Sequence, residues 1–230
     1  MKTLGLIGGM SWESTIPYYR IINEVVKERL GGLHSAKIIL YSVEFAEIEA
    51  CQASGDWAKS AEILADAAVK LQQAGADYIV ICTNTMHKVV PEMLSHLQIP
   101  IIHIADAAAD ALKSQGIRKT ALLGTKYTMT QDFYKQRLMD NGLEVIVPKA
   151  DDIEIVNDVI YNELCRGEIK ESSRKKYAEI ISRLKAAGAE GVILGCTEIG
   201  LLISAEDAVL PVFDTTAIHA KRAAELALEG

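Results

Sequence analysis

Cysteine is scarce in this sequence, and its spacing excludes the common small metal and redox motifs. The 230 residues include four cysteines, which lie far apart at Cys51, Cys82, Cys165 and Cys196. No two of them have the two-residue spacing that is typical of structural zinc sites and thioredoxin-like redox pairs. A chain of this length, half of it apolar, can fold without a disulfide framework. We therefore expect reduced cysteines, no bound metal and a cytoplasmic location.

Long apolar runs and an excess of positive charge are also missing. No stretch approaches the roughly 18 unbroken apolar residues of a membrane helix. The chain has 24 lysines and arginines against 31 aspartates and glutamates, so its formal net charge is −7. A nucleic-acid-binding surface needs a basic face, and we expect neither nucleic acid nor membrane as a partner. Residues 4–10 resemble a short secretory segment, but a helical pattern follows them, and we interpret them as a buried first strand.

Short apolar runs alternate with longer stretches of helical period, which is typical of parallel sheets with crossover helices. Strands are predicted over residues 4–7, 37–42, 78–82, 100–104, 119–123, 143–147, 191–194 and 209–213. Helices are predicted over residues 15–30, 56–74, 105–114, 131–141, 153–166, 172–187 and 216–228. The acidic segment 44–49 is interpreted as a loop. The fold class predicted from this order is α/β.

An internal repeat divides the chain into similar halves. Residues 75–84, Gly-Ala-Asp-Tyr-Ile-Val-Ile-Cys-Thr-Asn, align without a gap on residues 188–197, Gly-Ala-Glu-Gly-Val-Ile-Leu-Gly-Cys-Thr, at an offset of 113. The predicted first strands of the halves, 6–8 and 122–124, match at the nearly equal offset of 116. We therefore expect two similar lobes, each a mainly parallel sheet flanked by helices, related by a pseudo-twofold axis. The first would comprise residues 1–103 and 209–230, and the second residues 104–208.

The repeat places Thr83 and Cys196 at equivalent positions, each just after a buried strand. Ligands of open α/β sheets bind beyond the carboxyl ends of the strands. We therefore expect these two side chains to face each other across an active site between the lobes. Adjacent strand residues point to opposite faces, so Cys82 should turn into the lobe core. Cys196 could be a small buried hydrophobe, but its strand-end position favours a functional thiol whose pKa nearby backbone amides would lower.

Several short motifs, in order along the chain, make it resemble the aspartate/glutamate racemase family. They are Gly8-Gly9-Met10-Ser11, Thr83-Asn84-Thr85 with His87, Leu123-Gly124-Thr125 with Thr128, Gly195-Cys196-Thr197-Glu198 and Val212-Phe213-Asp214. The resemblance implies a homodimeric, cofactor-independent amino-acid racemase in which two thiols work on opposite faces of the substrate α-carbon. This chain departs from the family at Thr83, where relatives usually carry the first cysteine. The resemblance therefore implies Cys196 and Thr83 as the catalytic pair.

The resemblance also implies which residues bind the small-molecule amino-acid substrate. Hydroxyls, amides and a carboxylate at strand ends would surround its amino group and α-carboxylate: Met10, Ser11, Asn84, Thr85, Thr125, Thr128, Thr197 and Glu198. His87 is placed in the site rather than assigned only to capping a turn. Some relatives bind the distal carboxylate with a basic residue after the second strand, where this chain offers only the neutral donor Gln52. Arg166 and, second to it, Lys170 lie in a region that supplies a basic contact in other relatives.

The resulting hypothesis is that Cys196 removes the α-proton of L-aspartate or L-glutamate and that the Thr83 side, directly or through water, completes the D-product. A threonine hydroxyl is a far weaker acid than a thiol, so proton transfer on the Thr83 side should be slow. A nicotinamide enzyme is a weak alternative, because residues 5–9 lack the full glycine fingerprint. A pyridoxal phosphate enzyme would need a Schiff-base lysine. A non-catalytic amino-acid-binding protein and a related decarboxylase or cis–trans isomerase stay open.

Overall fold

The computed structural model describes residues 1–229 and contains two parallel four-stranded sheets flanked by helices. The first sheet consists of β1 (Leu4–Gly8), β2 (Ile38–Ser42), β3 (Tyr78–Ile81) and β4 (Ile101–Ile102). The second consists of β5 (Lys119–Gly124), β6 (Glu144–Ile146), β7 (Gly191–Gly195) and β8 (Val212–Asp214). The strand orders are β2-β1-β3-β4 and β6-β5-β7-β8. Because both sheets follow one pattern, the α/β class and the internal repeat predicted from the sequence are confirmed.

Eleven α-helices and two short 3₁₀ helices occur within residues 1–229. The α-helices are α1 (Trp12–Leu30), α2 (Phe45–Ser54), α3 (Trp57–Gln73), α4 (Val90–Leu94), α5 (Ile104–Ser114), α6 (Lys126–Thr130), α7 (Asp132–Asp140), α8 (Ala150–Asn162), α9 (Glu171–Ala186), α10 (Ile199–Leu202) and α11 (Thr215–Glu229). The 3₁₀ helices are Thr85–Val89 and Leu164–Arg166. None of these described helices is long and apolar enough to cross a membrane.

Close contacts divide the chain into a first unit, Met1–His103 with residues 219–229, and a second unit, Ile104–Ile218. The boundary after residue 103 agrees with the sequence division. Residues 209–218 lie in the second unit, however, and not in the first as the sequence division had it. The reason is strand pairing, because Val212 and Phe213 of β8 pair in parallel with Val192 and Ile193 of β7. The chain therefore returns to the first unit only within α11.

Both faces of each sheet are buried, as alternating side chains of a central parallel strand require. In the first unit, Leu4 and Leu6 of β1 pack with Tyr18 and Ile22 of α1. The opposite face packs against α3. In the second unit, Leu123 of β5 lies in the cluster formed with α8 and α9, and its neighbour Leu122 lies in the cluster formed with α5 and α7. Helices thus cover both faces of each sheet, and the loops that carry the candidate site lie at the carboxyl ends of the strands.

Two local predictions were wrong. The segment after β2 is the helix α2 and not a loop: its N-cap Glu44 accepts a hydrogen bond from the Ala46 amide, and Ile48 and Gln52, four residues apart, are buried. The predicted helix 153–166 ends at Asn162, because the chain turns there into the 3₁₀ helix Leu164–Arg166. The conformation of Gly167, with φ of 73°, then directs the chain toward α9.

Candidate active site

Cys196 is the first residue after β7, and the sequence around it fixes the sulfur at the carboxyl end of that strand. Gly195, immediately before it, has no room for a side chain, since an added Cβ would lie 2.8 Å from the Leu123 carbonyl oxygen. Only glycine allows β5 and β7 to approach so closely here. Cys196 itself is buried, with 6% of its surface exposed, and belongs to the second unit's core cluster.

The sulfur of Cys196 is hydrogen-bonded to a carboxylate. Its Sγ donates to Oε2 of Glu198 at 2.9 Å, and the Thr197 hydroxyl donates to the same oxygen at 2.9 Å. Glu198 is 2% exposed. A buried carboxylate that receives an S–H donor is positioned to accept the thiol proton, while the threonine hydroxyl stabilises the carboxylate as a hydrogen-bond donor. The sequence placed Glu198 among the substrate-binding residues, whereas in the second unit its carboxylate contacts the thiol.

The pKa of Cys196 lies well above the usual value of a thiol. Burial is the largest cause, the negative charge of Glu198 is the second, and the charge of Cys165 adds to them. A backbone hydrogen bond from Glu198 does lower this pKa, as the sequence-based expectation had it, but it is the smallest of the causes and the net shift is upward. The physical reason is that desolvation and a neighbouring anion both penalise the thiolate. In the resting protein Cys196 is a neutral thiol.

Thr125 and Thr128 lie at the carboxyl end of β5, the neighbour of β7. The Thr125 Oγ1 accepts a hydrogen bond from the Thr128 amide at 3.3 Å, and the two hydroxyl oxygens are 3.1 Å apart. A Cβ added to Gly195 would lie 3.5 Å from Cγ2 of Thr128, so the threonine pair packs beside the Cys196 backbone. Four of the predicted site residues of the second unit, Thr125 and Thr128 with Cys196 and Thr197, are thus at one edge of one sheet.

The start of α11 supports the Cys196 turn in a way that the sequence analysis missed. The Thr215 hydroxyl donates to the Leu194 carbonyl at 2.7 Å, and the Thr216 hydroxyl donates to the Thr197 carbonyl at 3.5 Å. Asp214 lies against this turn from β8, because an added Cβ on Gly200 would be 2.8 Å from its Oδ2. The run Val212-Phe213-Asp214 was noted as a motif, but its pairing with β7 could not be inferred from the sequence.

In the first unit, Cys82 and Thr83 follow β3 and have different environments. Cys82 is fully buried in the cluster that includes Leu6, Tyr18 and Val80, and burial raises the pKa of its thiol far above the usual range. The prediction that Cys82 turns into the core is therefore confirmed. Thr83 is 9% exposed, and its neighbours Asn84 and Thr85 are buried beside it. This unit consequently has no thiol at the position equivalent to Cys196.

Three buried histidines lie behind Thr83. Nδ1 of His87 donates to the Thr83 carbonyl oxygen at 2.8 Å, which fixes the tautomer because that oxygen can only accept. The His87 ring is 4.5 Å from the His103 ring and 5.8 Å from the His219 ring. His219 is held in turn by Tyr18 Oη at 2.9 Å and by the Ile102 carbonyl at 2.8 Å. Of these three histidines, only His87 was predicted from the sequence to lie at the site.

The turn after β1 contains Met10 and Ser11 and is tied down by α1. Gly9 has φ of 91°, and an added Cβ there would lie 2.4 Å from the Val43 carbonyl oxygen. The Gly9 amide donates to the Thr15 Oγ1 at 2.9 Å, and that hydroxyl donates to the Ser11 carbonyl at 2.8 Å. The Met10 side chain packs in the core, so only its backbone could contact a ligand. Thr15 is thus a positioning residue that the sequence analysis missed.

The three residues proposed for a distal carboxylate have different environments. Gln52 is buried on α2, with Nε2 donating to the Met86 sulfur at 3.1 Å. Lys170 forms ion pairs with Glu168 at 2.9 Å and Glu163 at 3.6 Å, so its charge is already engaged. Arg166 is exposed at the end of the 3₁₀ helix that follows α8. Arg166 is thus an exposed cation directly after Cys165, which packs against the second unit's core cluster.

No group of three histidine, cysteine, aspartate or glutamate side chains that could hold a metal ion occurs among residues 1–229.

Comparison with known proteins assigns the family. The sequence profile of the Asp/Glu/Hydantoin racemase family matches residues 7–223. This chain belongs to that family. A proposed Asp/Glu racemase of known structure from Yersinia pestis is 60% identical, with a TM-score of 0.92 over 99% of this chain and all of that one. An aspartate racemase homologue from Pyrococcus horikoshii is 39% identical, with a TM-score of 0.84 over 99% of this chain and all of that one.

The curated relatives include racemases of different specificity. The broad specificity amino-acid racemase RacX of Bacillus subtilis is 25% identical over 225 residues, which are 95% of each chain. The protein thus belongs to an amino-acid racemase family, and the two-lobed α/β racemase fold accounts for its pair of parallel sheets. The relatives act on more than one amino acid, so the substrate has to be argued from this chain's own residues.

Proposed function

We propose that this protein racemises aspartate or glutamate without a cofactor, with Cys196 as the base that removes the α-proton of the L-enantiomer. The observation that carries the proposal is the 2.9 Å contact between Cys196 Sγ and Glu198 Oε2 at the carboxyl end of β7. A thiol whose proton already points to a carboxylate can become a thiolate without releasing that proton to solvent. We infer that the reactive form arises by this transfer within the pair.

The proton balance of the proposed first step is simple. The S–H proton passes to Oε2 of Glu198, and the thiolate takes the substrate's α-proton. The electron pair left on the α-carbon is delocalised into the substrate α-carboxylate. Hydroxyl donors near the strand ends, Thr125, Thr128 and Thr197, oppose the charge that develops there. The ammonium group of the substrate adds a positive charge that stabilises the thiolate.

Thr83 is proposed to serve the opposite face of the α-carbon. Its hydroxyl supplies a proton to the carbanion and is restored from water, since threonine alkoxide is not an effective base at neutral pH. Enantiomers have equal free energy, so the ratio of kcat to KM must be the same in both directions and a one-way racemase is excluded. What can differ is the rate of α-proton exchange from each enantiomer. We expect fast exchange from the L-form and slow net racemisation.

The preference for an acidic amino acid is proposed from Arg166. Its exposed guanidinium follows Cys165, whose charge contributes to raising the pKa of Cys196, and both lie in the second unit. A planar guanidinium binds a carboxylate with two parallel hydrogen bonds. Gln52, Asn84, Thr85, His87 and the Met10–Ser11 backbone are proposed to complete the binding residues from the first unit. The homodimeric state and the cytoplasmic location expected from the sequence stay predictions.

The deciding experiment is proton NMR of the α-position in D₂O with both enantiomers of aspartate and of glutamate. We expect loss of the α-proton signal from one L-enantiomer well before the D-product accumulates. Cys196→Ser should abolish exchange while substrate binding persists, and Cys165→Ser, a partly buried cysteine of the same unit, is the matched control. Thr83→Ala should slow net racemisation more than exchange from the L-form.

The same experiment separates the alternatives. A non-catalytic binding protein would bind an amino acid and exchange no α-proton in any variant. A decarboxylase would release carbon dioxide from a malonate-type substrate and leave aspartate and glutamate unchanged. Equally fast exchange from both enantiomers would contradict the weak role given to Thr83, and unaltered exchange in Cys196→Ser would contradict the assignment of the base.

A further inference from the structure

A chain of three side chains in contact leads from the core of the first unit to the backbone of Thr83. It begins at Tyr18 of α1 and continues through His219 of α11. From there it passes to His87, in the 3₁₀ helix after β3, and ends at the Thr83 carbonyl oxygen. Thr83 and His87 have proposed roles at the substrate, whereas Tyr18 and His219 are fully buried. All four residues belong to the first unit.

The orientation of the His219 ring is fixed by two hydrogen bonds. Nε2 is 2.8 Å from the Ile102 carbonyl oxygen, which can only accept, so Nε2 carries the proton. Nδ1 is then the acceptor, and the Tyr18 hydroxyl donates to it at 2.9 Å. Burial also lowers the pKa of His219 to about 4, so the ring is neutral near pH 7. A single tautomer and a single orientation of the ring therefore satisfy both contacts.

The His87 ring packs against the fixed His219 ring. Their centroids are 5.8 Å apart and their planes are inclined at 66°, which is the edge-to-face arrangement that aromatic rings prefer. The His103 ring packs against His87 as well, at 4.5 Å. A ring in contact with two other rings has few alternative orientations, because a close-packed interior leaves little space for another. In the orientation that results, Nδ1 of His87 donates to the Thr83 carbonyl at 2.8 Å.

The hydrogen bond from His87 holds the backbone at a point that strand pairing does not reach. Pairing of β3 with β1 ends at Ile81, and the Cys82 amide still donates to the Ile7 carbonyl. Thr83 lies one residue farther along the chain, so side-chain contacts have to hold its backbone. Displacing a reacting group by about 1 Å can cost on the order of 100-fold in rate. The support of the Thr83 carbonyl therefore bears on the reaction at the α-carbon.

From these contacts we propose that Tyr18 and His219 are positioning residues for Thr83 and act on it through His87. The inference rests on the proposed function, because it requires Thr83 to serve one face of the substrate. Tyr18→Phe removes the hydroxyl and leaves Nδ1 of His219 without its donor, so the ring is free to change tautomer or to rotate. His87 then loses a fixed neighbour, and the Thr83 carbonyl loses a fixed donor.

The first test compares two rates in Tyr18→Phe. Exchange of the α-proton from the L-enantiomer in D₂O depends on Cys196 and should stay within about twofold of the wild-type rate. Net racemisation also needs the Thr83 face and should fall about 10- to 100-fold. General damage to the fold would lower both rates together. Tyr134→Phe is the matched control, because Tyr134 is also fully buried and its hydroxyl has no hydrogen-bond partner within residues 1–229. Both of its rates should match those of the wild type.

The second test observes the His87 hydrogen bond directly and needs no catalytic activity. NMR of protein with isotope-labelled histidine, assigned with His87→Gln, should show an Nδ1–H proton of His87 that is protected from exchange with water. Tyr134→Phe should keep this protection, whereas in Tyr18→Phe the proton should exchange at least about tenfold faster. Far-ultraviolet circular dichroism checks that each variant folds. His219→Leu, which removes both hydrogen bonds of the ring, replaces Tyr18→Phe if that variant does not fold.

The outcomes distinguish this inference from the proposed function. Unchanged protection of His87 in Tyr18→Phe overturns the inference alone, even while the protein racemises its substrate. Unchanged net racemisation in Tyr18→Phe, or an equal fall of both rates, also overturns it. The same split of the two rates in Tyr134→Phe would overturn it too, since the effect would not be specific to the contacts of Tyr18. A wild type that exchanges no α-proton from either enantiomer refutes the proposed function and, with it, the role inferred for Tyr18 and His219.

Discussion

Glu198→Gln tests the carboxylate that accepts the Cys196 proton. The substitution keeps the size of the side chain and an oxygen that can accept a hydrogen bond, but removes the negative charge and the basic site. In the wild type the pair holds one proton, whether on Sγ or on Oε2, at a contact of 2.9 Å. Moving the proton within the pair neither takes up nor releases a proton. The thiolate population formed in this way does not change with pH while the pair holds that single proton.

The variant loses this independence of pH. Its thiol must give its proton to solvent, so the thiolate fraction rises tenfold for each pH unit as long as the pH stays below the pKa of Cys196. Burial, the largest cause of that high pKa, is untouched by the substitution. We therefore expect the rate of α-proton exchange in Glu198→Gln to rise about 100-fold between pH 6 and pH 8. The wild-type rate should change by less than about threefold over the same interval if one shared proton serves both forms.

The assay is α-proton exchange from the L-enantiomer in D₂O, followed by NMR at saturating substrate in buffers of constant ionic strength. Glu163→Gln is the control, because Glu163 also lies in the second unit and accepts a side-chain hydrogen bond, from Ser173 at 2.7 Å. Its pH profile should match that of the wild type. A flat profile for Glu198→Gln, or a tenfold rise per pH unit in the wild type, would refute the idea that the two side chains share the reacting proton.

Two further predictions concern stability. Gly124→Ala would place a Cβ 2.7 Å from the Gly195 carbonyl oxygen and 3.1 Å from Thr128 Cβ. We therefore expect the free energy of unfolding to fall by about 1–3 kcal/mol, measured as a lower Tm and urea midpoint. An unchanged midpoint would mean that β5 and β7 can move apart without cost. Burial lowers the pKa of His219 from 6.5 to about 4, so His219 takes up a proton more readily in the unfolded chain than in the folded one. Its contribution to stability is fully present above pH 6.5, and the free energy of unfolding should fall by about 3 kcal/mol as the pH approaches 4. His219→Gln should lose that part of the pH dependence in urea titrations at pH 7.5 and 4.5, and an undiminished loss on acidification would assign it to other groups.

The repeat was the most informative feature of the sequence for the fold. Nearly equal spacing of the matching buried strands in both halves predicted two similar parallel sheets, since each of these strands carried its own apolar run. The helix α2 was missed because its apolar residues are spread around the helix and only Ile48 and Gln52 are buried, so the sequence shows no clear amphipathic period. The placement of β8 was wrong because an apolar run does not reveal which sheet it joins. That choice depends on the pairing of Val212 with Val192.

The sequence predicted which residues lie at the candidate site better than it predicted the contacts between their side chains. The register of the repeat distinguished Thr83 from Cys82, because alternation along a strand is a local rule. The contact between Cys196 and Glu198 depends on how a tight turn aims two side chains, which the spacing of two residues leaves open. The hydrogen bond between Tyr18 and His219 joins residues 201 positions apart. Such long-range partners follow only from the complete packing of the first unit.

The high pKa of Cys196 agrees with the chemistry proposed for it. The α-proton of an amino acid is a very weak acid, so the group that removes it must be a strong base at the moment of transfer. A thiol made acidic by nearby amides would ionise readily, but its thiolate would be a correspondingly weak base. Burial and the charge of Glu198 have the opposite effect, because both destabilise the thiolate. Glu198 holds the displaced proton one hydrogen bond away, so the site can form a strongly basic sulfur only briefly, and only while the substrate's positive ammonium group is present to stabilise it.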